Sequence, residues 1–195
     1  MSDGHWNHNT HYHRLALRVA GSASSALDVG CGEGLLTREL HASGVARVTG
    51  VDLDPDQVAR ARSQADDSLR YLVGDVLEVP RDEQFDLVTC FATLHHLDLD
   101  VGLRRLRSLV APGGRLVVVG LARVGSPTDA ALSLAAVPAA MVADRARGVW
   151  EHGAPVRDPE HSYGQVRAAA RSILPGARWR RHLYWRYSLV WQSPA

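Results

Sequence analysis

The sequence predicts an α/β fold in which helices cover both faces of a mostly parallel, seven-stranded sheet. Two observations predict it. Apolar runs of strand length recur with helical segments between them, and nearly continuous apolar strands are typical of parallel sheets buried on both faces. The 195 residues also suit one domain, because single cores usually grow to about 100–200 residues before they split.

Strands and helices alternate through the first part of the chain. Strand Ser25–Val29 runs into glycines, strand Ala46–Val51 follows it, and helix Leu35–Ala42 lies between them. This spacing gives a crossover of the length that parallel strand pairing requires. The further elements predicted here are strands at 69–73, 85–91 and 115–120 and helices at 55–65 and 99–110.

The alternation ends after Gly120. Residues 126–148 are rich in alanine and predict a helix that Pro138 breaks or kinks. The elements predicted after it are a loop at 149–160, a helix at 161–173 and two strands between Arg178 and Trp191, with a turn near Trp185.

Composition excludes several classes of protein. The longest apolar run, 130–143, is shorter than the roughly 20 residues of a membrane helix, so no membrane span is expected. The first residues lack the apolar segment of a secretory signal, and two cysteines give no disulfide framework. These features favour a cytoplasmic protein.

The charge is divided unequally along the chain. Residues 1–100 carry 8 arginines against 16 acidic residues, and residues 101–195 carry 14 arginines against 5. A basic half can indicate nucleic-acid binding. Because these arginines are spread over several predicted elements, solvated faces explain them better and a nucleic-acid partner is not expected.

A glycine-rich turn follows the first strand, with the sequence D-V-G-C-G-E-G from Asp28 to Gly34. Glycines allow a sharp turn and close approach of the backbone to a ligand at a helix N-terminus. The spacing differs from the G-x-G-x-x-G of dinucleotide sites, and Asp28 would repel a pyrophosphate but attract an ammonium or sulfonium. A plain tight turn is the alternative interpretation.

Two aspartates follow the second strand. A carboxylate at this position can accept hydrogen bonds from both hydroxyls of a ribose. It can also cap the next helix, and Asp54 suits that role because it directly precedes Pro55. Asp52 is therefore the expected ribose ligand.

Three more segments complete an ordered set. They are Gly74-Asp75-Val76 after the third strand, Phe85–Leu97 around the fourth and Pro112-Gly113-Gly114 before the fifth. Together with the two motifs above, they resemble class I S-adenosylmethionine-dependent methyltransferases, specifically the small-molecule group that contains ubiquinone and menaquinone biosynthesis enzymes. The resemblance covers roughly residues 24–121, and the tail from Arg186 resembles the closing strand of that group.

The resemblance implies a single Rossmann-like domain with an antiparallel last strand and a pocket for S-adenosylmethionine, with S-adenosylhomocysteine as product. Asp28, Gly30, Cys31, Gly32 and Gly34 would surround the methionine part. The nucleoside and methionyl contacts implied by the resemblance are Asp52 to the ribose, Leu53 to one adenine face, Asp75 and Val76 to the adenine edge, and Cys90 or Phe91 to the methionyl group.

The remaining segments are expected to serve the acceptor. Residues 1–23 would form a lid, 122–176 a helical insertion on the acceptor side and 177–195 the terminal strands. A small-molecule acceptor is expected. The methylated atom (O, N or C) and the choice between monomer and homodimer stay open.

Adjacent histidines follow the fourth strand. An acceptor with a poorly ionised hydroxyl or amine needs a base. His95 and His96 are the candidates for that catalytic role, with packing as the alternative. Four N-terminal histidines lack the spacing of a zinc site, so no metal is expected. A lead-in helix from Tyr12 to Ala20 is the favoured interpretation there.

Two other functions compete with small-molecule methylation. A protein that binds the cofactor without catalysis would keep the same motifs. A nucleic-acid methyltransferase that modifies base amino groups would carry an N-P-P-[YF] motif after the fourth strand, to stack a flipped base. This chain has Cys90-Phe91-Ala92-Thr93 there, which leaves RNA modified by other means as the nucleic-acid alternative.

Overall fold

A computed structural model describes residues 9–66, 68–80, 82–147, 158–182 and 185–195. In these ranges one seven-stranded sheet has the order β3-β2-β1-β4-β5-β7-β6. Its strands are β1 (Ser25–Val29), β2 (Arg47–Asp52), β3 (Leu69–Val73), β4 (Phe85–Phe91), β5 (Val110–Leu121), β6 (Arg178–Arg181) and β7 (Arg186–Gln192). The five neighbouring strands β3, β2, β1, β4 and β5 are parallel to one another. Strand β7 is antiparallel to both β5 and β6. The predicted fold class is confirmed.

Six α-helices accompany the sheet in the described part of the chain. They are α1 (His13–Ala20), α2 (Leu35–Ala42), α3 (Pro55–Ser63), α4 (Leu99–Ser108), α5 (Pro127–Arg147) and α6 (Tyr163–Ile173). Short 3-10 turns lie at Thr10–Tyr12 and Leu94–His96. No helix among these residues is long and apolar enough to cross a membrane.

The central strands place alternate side chains on opposite faces of the sheet, as the two-residue period of a strand requires. On β4, Val88 and Cys90 join the apolar cluster that includes residues of α4 and α6. Leu87 and Phe91 join the cluster that includes residues of α1 and α2. Both faces are therefore buried, which explains why this strand is apolar almost throughout.

Several element boundaries differ from the predicted ones by one or two residues, and two elements differ in more than that. The last central strand begins at Val110 rather than 115, because its pairing with β4 shifts from Phe85 opposite Val110 to Leu87 opposite Arg115. The Pro-Gly-Gly turn is the irregular part of that longer strand. Helix α5 continues through Pro138, so the proline does not end the helix.

The C-terminal hairpin joins β6 to β7. Trp185 adopts a positive φ of 56°, which is unusual for a bulky residue. The Tyr163 hydroxyl donates a hydrogen bond to the Trp185 carbonyl at 2.9 Å. A tertiary contact from α6 therefore supports a turn that lacks glycine, proline and asparagine.

Two parts of the segment 122–176 meet at one backbone bridge. The Arg123 amide donates to the His161 carbonyl at 2.8 Å, and the Tyr163 amide donates to the Arg123 carbonyl at 3.3 Å. The chain thus leaves the sheet after β5 and returns to nearly the same point.

Candidate active site

The cavity lies where the parallel strands end. Its volume is about 520 Å³, within the range of about 300–1,000 Å³ that is usual for small-molecule sites. Of the predicted site residues, those that line it are Asp28, Gly30, Cys31, Gly32, Asp52, Leu53, Asp75, Val76, Phe91, His95 and His96. Gly34 and Cys90 are not among the lining residues.

Gly30 and Gly34 of the glycine-rich turn each lie against a side chain from another part of the chain. Gly30 has φ +70°, and a Cβ built there would lie 1.9 Å from the Thr93 hydroxyl oxygen, so only glycine allows these loops to meet. Gly34 has φ +75°, and a Cβ there would lie 2.5 Å from the Tyr71 hydroxyl oxygen. Gly34 therefore serves helix entry and packing against β3.

Asp52 connects the end of β2 to the glycine-rich turn. Its Oδ2 accepts a hydrogen bond from the Gly32 amide at 2.8 Å, and its Oδ1 accepts one from the Asp54 amide at 3.0 Å. The Asp54 carboxylate instead accepts from the amides of Asp56 and Gln57 at the start of α3. The predicted helix cap is confirmed at Asp54, and Asp52 is the carboxylate held against the turn.

Asp28 is 2% exposed at the end of β1. The Thr37 hydroxyl donates to its Oδ2 at 2.9 Å, and the Thr89 hydroxyl donates to its Oδ1 at 2.8 Å. Burial raises the pKa of Asp28, although these two hydrogen bonds oppose the shift. The carboxyl group is held in one orientation at the cavity wall.

Apolar and polar groups alternate along the β2 to β3 side of the cavity. Leu53 is 63% exposed, whereas Val76 is 5% exposed and belongs to the core. The half-buried Asp75 accepts a hydrogen bond from the Leu77 amide at 2.9 Å, which fixes the loop after β3. An exposed leucine inside a cavity is an apolar surface for a flat ligand group.

The two histidines after β4 lie in the 3-10 turn Leu94–His96. Their ring centroids are 4.1 Å apart with an interplanar angle of 38°. His95 is half-buried and His96 is exposed, and both line the cavity. Both histidines therefore form part of the cavity wall after β4.

Further cavity residues were not predicted as site residues, among them Asn9, His13 and Arg186. His13 in α1 contacts Glu39 in α2, with 2.8 Å between Nδ1 and Oε2. Arg186 Nε donates to Asn9 Oδ1 at 2.8 Å. The Asn9, His13 and Arg186 side chains come from opposite ends of the sequence, and only the folded sheet brings them together.

Gln57 also lines the cavity without having been predicted as a site residue, and it is 2% exposed. Its side-chain Nε2 is buried with no hydrogen-bond partner among the residues that the structure describes. A Cβ built on Gly32 would lie 3.8 Å from Gln57 Oε1, so the amide lies beside the glycine-rich turn. Gln57 lies in the polar first turn of α3, so nothing in the sequence indicated that it would line the cavity.

The cavity thiol and the local carboxylates do not form a nucleophilic or metal-binding group. Burial raises the pKa of Cys31, with Asp28 and Asp52 adding to the shift, so its thiol stays protonated at neutral pH. Within the described ranges, no three His, Cys, Asp or Glu side chains lie close enough together to hold a metal ion.

Sequence comparison identifies relatives over the whole chain. The profile described as "Methyltransferase domain" matches residues 27–118. An uncharacterised methyltransferase of Mycobacterium tuberculosis is 38% identical over 98% of this chain and 99% of its own length. The chain belongs to the S-adenosylmethionine-dependent methyltransferase family. The family, the enzyme class and the cofactor expected from the sequence are confirmed.

Other similar proteins agree with this membership. The ubiquinone biosynthesis O-methyltransferase of Xanthomonas campestris is 38% identical to this chain. The matched region covers 66% of this chain and 54% of the Xanthomonas protein. The N-methyltransferase NodS of Bradyrhizobium japonicum, in complex with S-adenosylhomocysteine, has a TM-score of 0.64 at 20% identity, covering 95% of this chain and 87% of its own. CalS10 of Micromonospora echinaspora, an amino pentose methyltransferase with bound S-adenosylmethionine, has a TM-score of 0.65 at 19% identity over 96% and 92% of the chains. These structures share the fold.

The cavity of this methyltransferase fits the cofactor of the family. Asp28 and Asp52 line the cavity, where acidic groups suit a ligand that carries an ammonium and a sulfonium. Gly32 has φ +52°, and among the described residues beyond its chain neighbours only Gln57 Oε1 lies within 4 Å of an added Cβ, so the backbone there is open to a ligand. A buried amide without a partner at Gln57 indicates that a polar ligand completes the site.

Proposed function

We propose that this protein transfers the methyl group of S-adenosylmethionine to a small-molecule acceptor. One observation supports this most strongly: a single cavity extends from the carboxylates and glycine-rich turn to the histidines after β4. Donor and acceptor would then share one enclosed site, as an in-line displacement requires.

In this proposal the cofactor lies along the ends of β1, β2 and β3. The glycines at 30, 32 and 34 would shape the turn around its methionine part, and Asp28 would orient that turn or its ammonium. The nucleoside contacts would come from Asp52 at the ribose, Leu53 at one adenine face and Asp75 with Val76 at the adenine edge. Backbone of Cys90 or Phe91 would contact the methionyl group.

Catalysis would rest mainly on positioning. When bound, the sulfonium of the cofactor supplies a methyl group that already carries its leaving group. The protein's own residues would hold the acceptor in line with that methyl group and exclude water from it. For a hydroxyl or amine acceptor, His96 or His95 would take the proton as the new bond forms.

The acceptor class is supported by the relatives. One is named for ubiquinone biosynthesis and another for an amino pentose, and both names describe small acceptors. The lid at 1–23 and the acceptor-side insertion at 122–176 are part of the proposal, supported by Asn9, Thr10 and His13 in the cavity wall. A reducing cytoplasmic location is proposed from the two free, buried cysteines.

Two experiments test the function. Calorimetry should show binding of S-adenosylhomocysteine and S-adenosylmethionine but not of NAD, because acidic residues face the site of a pyrophosphate. Tight NAD binding without S-adenosylhomocysteine binding would contradict the proposal. A screen of quinols, phenols, amines and carboxylates with methyl-labelled cofactor should then identify the acceptor class, whereas binding without transfer to any class would favour a protein that binds without catalysis.

A further inference from the structure

Gln57 occupies a position where a polar side chain is costly to the free protein. Its side chain is buried in the first turn of α3, and the two next inward-facing residues of that helix, Val58 and Ala61, are fully buried and apolar. An unpaired buried amide lowers the stability of the free protein, because it has lost its hydrogen bonds to water. A methionine of similar length would fill the same space without that cost.

Gln57 is held in the cap of α3 by its backbone, and its side chain lies beside the glycine-rich turn. The Gln57 backbone amide donates to Asp54 Oδ1 at 3.3 Å, which fixes the residue in the cap of α3. Its side chain lies beside Gly32, whose own amide donates to Asp52. The side-chain Nε2 of Gln57 is buried and has no hydrogen-bond partner within the described part of the structure.

Asp52 can accept hydrogen bonds from the hydroxyl groups of a ribose, but it cannot donate any to them. A hydroxyl group donates one hydrogen bond and accepts up to two, and a carboxylate can only accept. A hydroxyl that donates to Asp52 therefore requires a separate donor for its oxygen. Among the cavity residues near Asp52, Gln57 holds a buried donor for which the described residues provide no acceptor.

We propose that Gln57 is a cofactor-recognition residue whose side-chain amide donates a hydrogen bond to a ribose hydroxyl. This inference rests on the proposed placement of the ribose at Asp52. The free protein would carry an unpaired amide, and ligand binding would satisfy it. Gln57 would thereby make the site selective for a ribose over a deoxyribose.

The test compares the wild-type protein with Gln57→Met by calorimetry. The ligands are S-adenosylhomocysteine and its 2′-deoxy and 3′-deoxy analogues, and ligand-free melting temperatures are measured in parallel. Gln57→Met should weaken S-adenosylhomocysteine binding about 5- to 10-fold, because one hydrogen bond to a buried group is lost. It should weaken binding of one deoxy analogue much less, because that analogue lacks the hydroxyl that Gln57 contacts.

The ligand-free melting temperature of Gln57→Met should be unchanged or higher. Gln64→Met is the matched control, because Gln64 is exposed at the end of the same helix and its amide contacts Arg38. That control should bind S-adenosylhomocysteine like the wild type.

Two results would overturn the inference. The first is a lower melting temperature for Gln57→Met with unchanged affinity, which would assign the amide to a partner within the protein. The second is an equal loss of affinity for all three ligands, which would show that Gln57 contacts neither ribose hydroxyl. A wild-type protein that fails to bind S-adenosylhomocysteine would instead contradict the proposed function itself.

Discussion

The buried His13 in α1 contacts the half-buried Glu39 in α2, with 2.8 Å between the imidazole Nδ1 and the carboxylate Oε2. The His13 ring also packs edge-on against Phe91, at 5.5 Å between ring centroids. The first helix is thus attached to the cavity wall through one polar and one aromatic contact. Glu39 contributes to the site by holding His13 in place.

Glu39→Ala should lower the free energy of unfolding by about 1–3 kcal/mol, because it leaves a buried imidazole without its partner. Glu83→Ala is the control, since Glu83 pairs with the exposed Arg70 at 3.8 Å and exposed pairs contribute about 0–1 kcal/mol. Urea unfolding of both variants measures the difference. Equal effects would mean that the His13 contact adds no more than a surface pair.

Asp52→Ala should weaken S-adenosylhomocysteine binding by about 10²-fold or more, because two charge-assisted hydrogen bonds to a ribose are worth about 1.5–3 kcal/mol each. Asp54→Ala should chiefly lower stability, by about 1 kcal/mol, because it removes the cap of α3. Calorimetry and urea unfolding separate the two effects. Equal affinities for the two variants would show that Asp52 does not hold the ribose.

Asp28 and Asp86 should respond to pH in opposite directions. Burial raises the pKa of Asp28 above its ordinary value of 3.8, so the folded protein holds this proton more tightly than the unfolded chain does. Its contribution to stability therefore decreases as pH rises above about 3.8. Hydrogen bonds from the Ser24 hydroxyl, the Ser24 and Ser25 amides and the Ser25 hydroxyl lower the pKa of Asp86, so its contribution is present above 3.8 and lost as pH falls.

The measurement is urea unfolding at a series of pH values in the window from about 4 upward, above the ordinary carboxyl pKa of 3.8. The stability of Asp28→Asn relative to the wild type should increase as pH rises across this window. The deficit of Asp86→Asn should instead be largest at neutral pH and shrink toward acid. A pH-independent difference for Asp28→Asn would show that its carboxyl titrates alike in the folded and unfolded chains.

His96→Ala tests the proposed base. Because His96 is exposed, its removal should change the melting temperature little. With a hydroxyl acceptor, loss of a general base should lower the single-turnover rate by roughly 10²–10⁴ and leave cofactor affinity nearly unchanged. A normal chemical step in the variant would assign His96 to packing.

The sequence predicted those features that depend on local chemistry. Strand β1 and helix α2 have the predicted bounds, because apolar runs and glycines mark them directly. Asp54 was distinguished from Asp52 because a cap followed by proline is a local signal. Such signals come from neighbouring residues in the chain.

Features that depend on tertiary contacts were beyond the sequence. Gln57 is polar in the first turn of a helix, which ordinarily indicates solvent exposure, and only packing beside the glycine-rich turn buries it. Gly34 reads as part of a ligand loop, yet the Tyr71 ring from β3 occupies the space that a side chain would need. The long pairing of β5 with β4 likewise depends on a partner strand.

The backbone bridge between Arg123 and Ser162 brings the two ends of the intervening segment together. Its two ends are fixed within hydrogen-bond reach of each other, so a replacement of different length would meet the core at the same two points. The segment between these two points, which we propose faces the acceptor, is therefore interchangeable in principle, while β5 and α6 stay in register. Chimaeras joined at these positions offer a route to new acceptor ranges on an unchanged donor site.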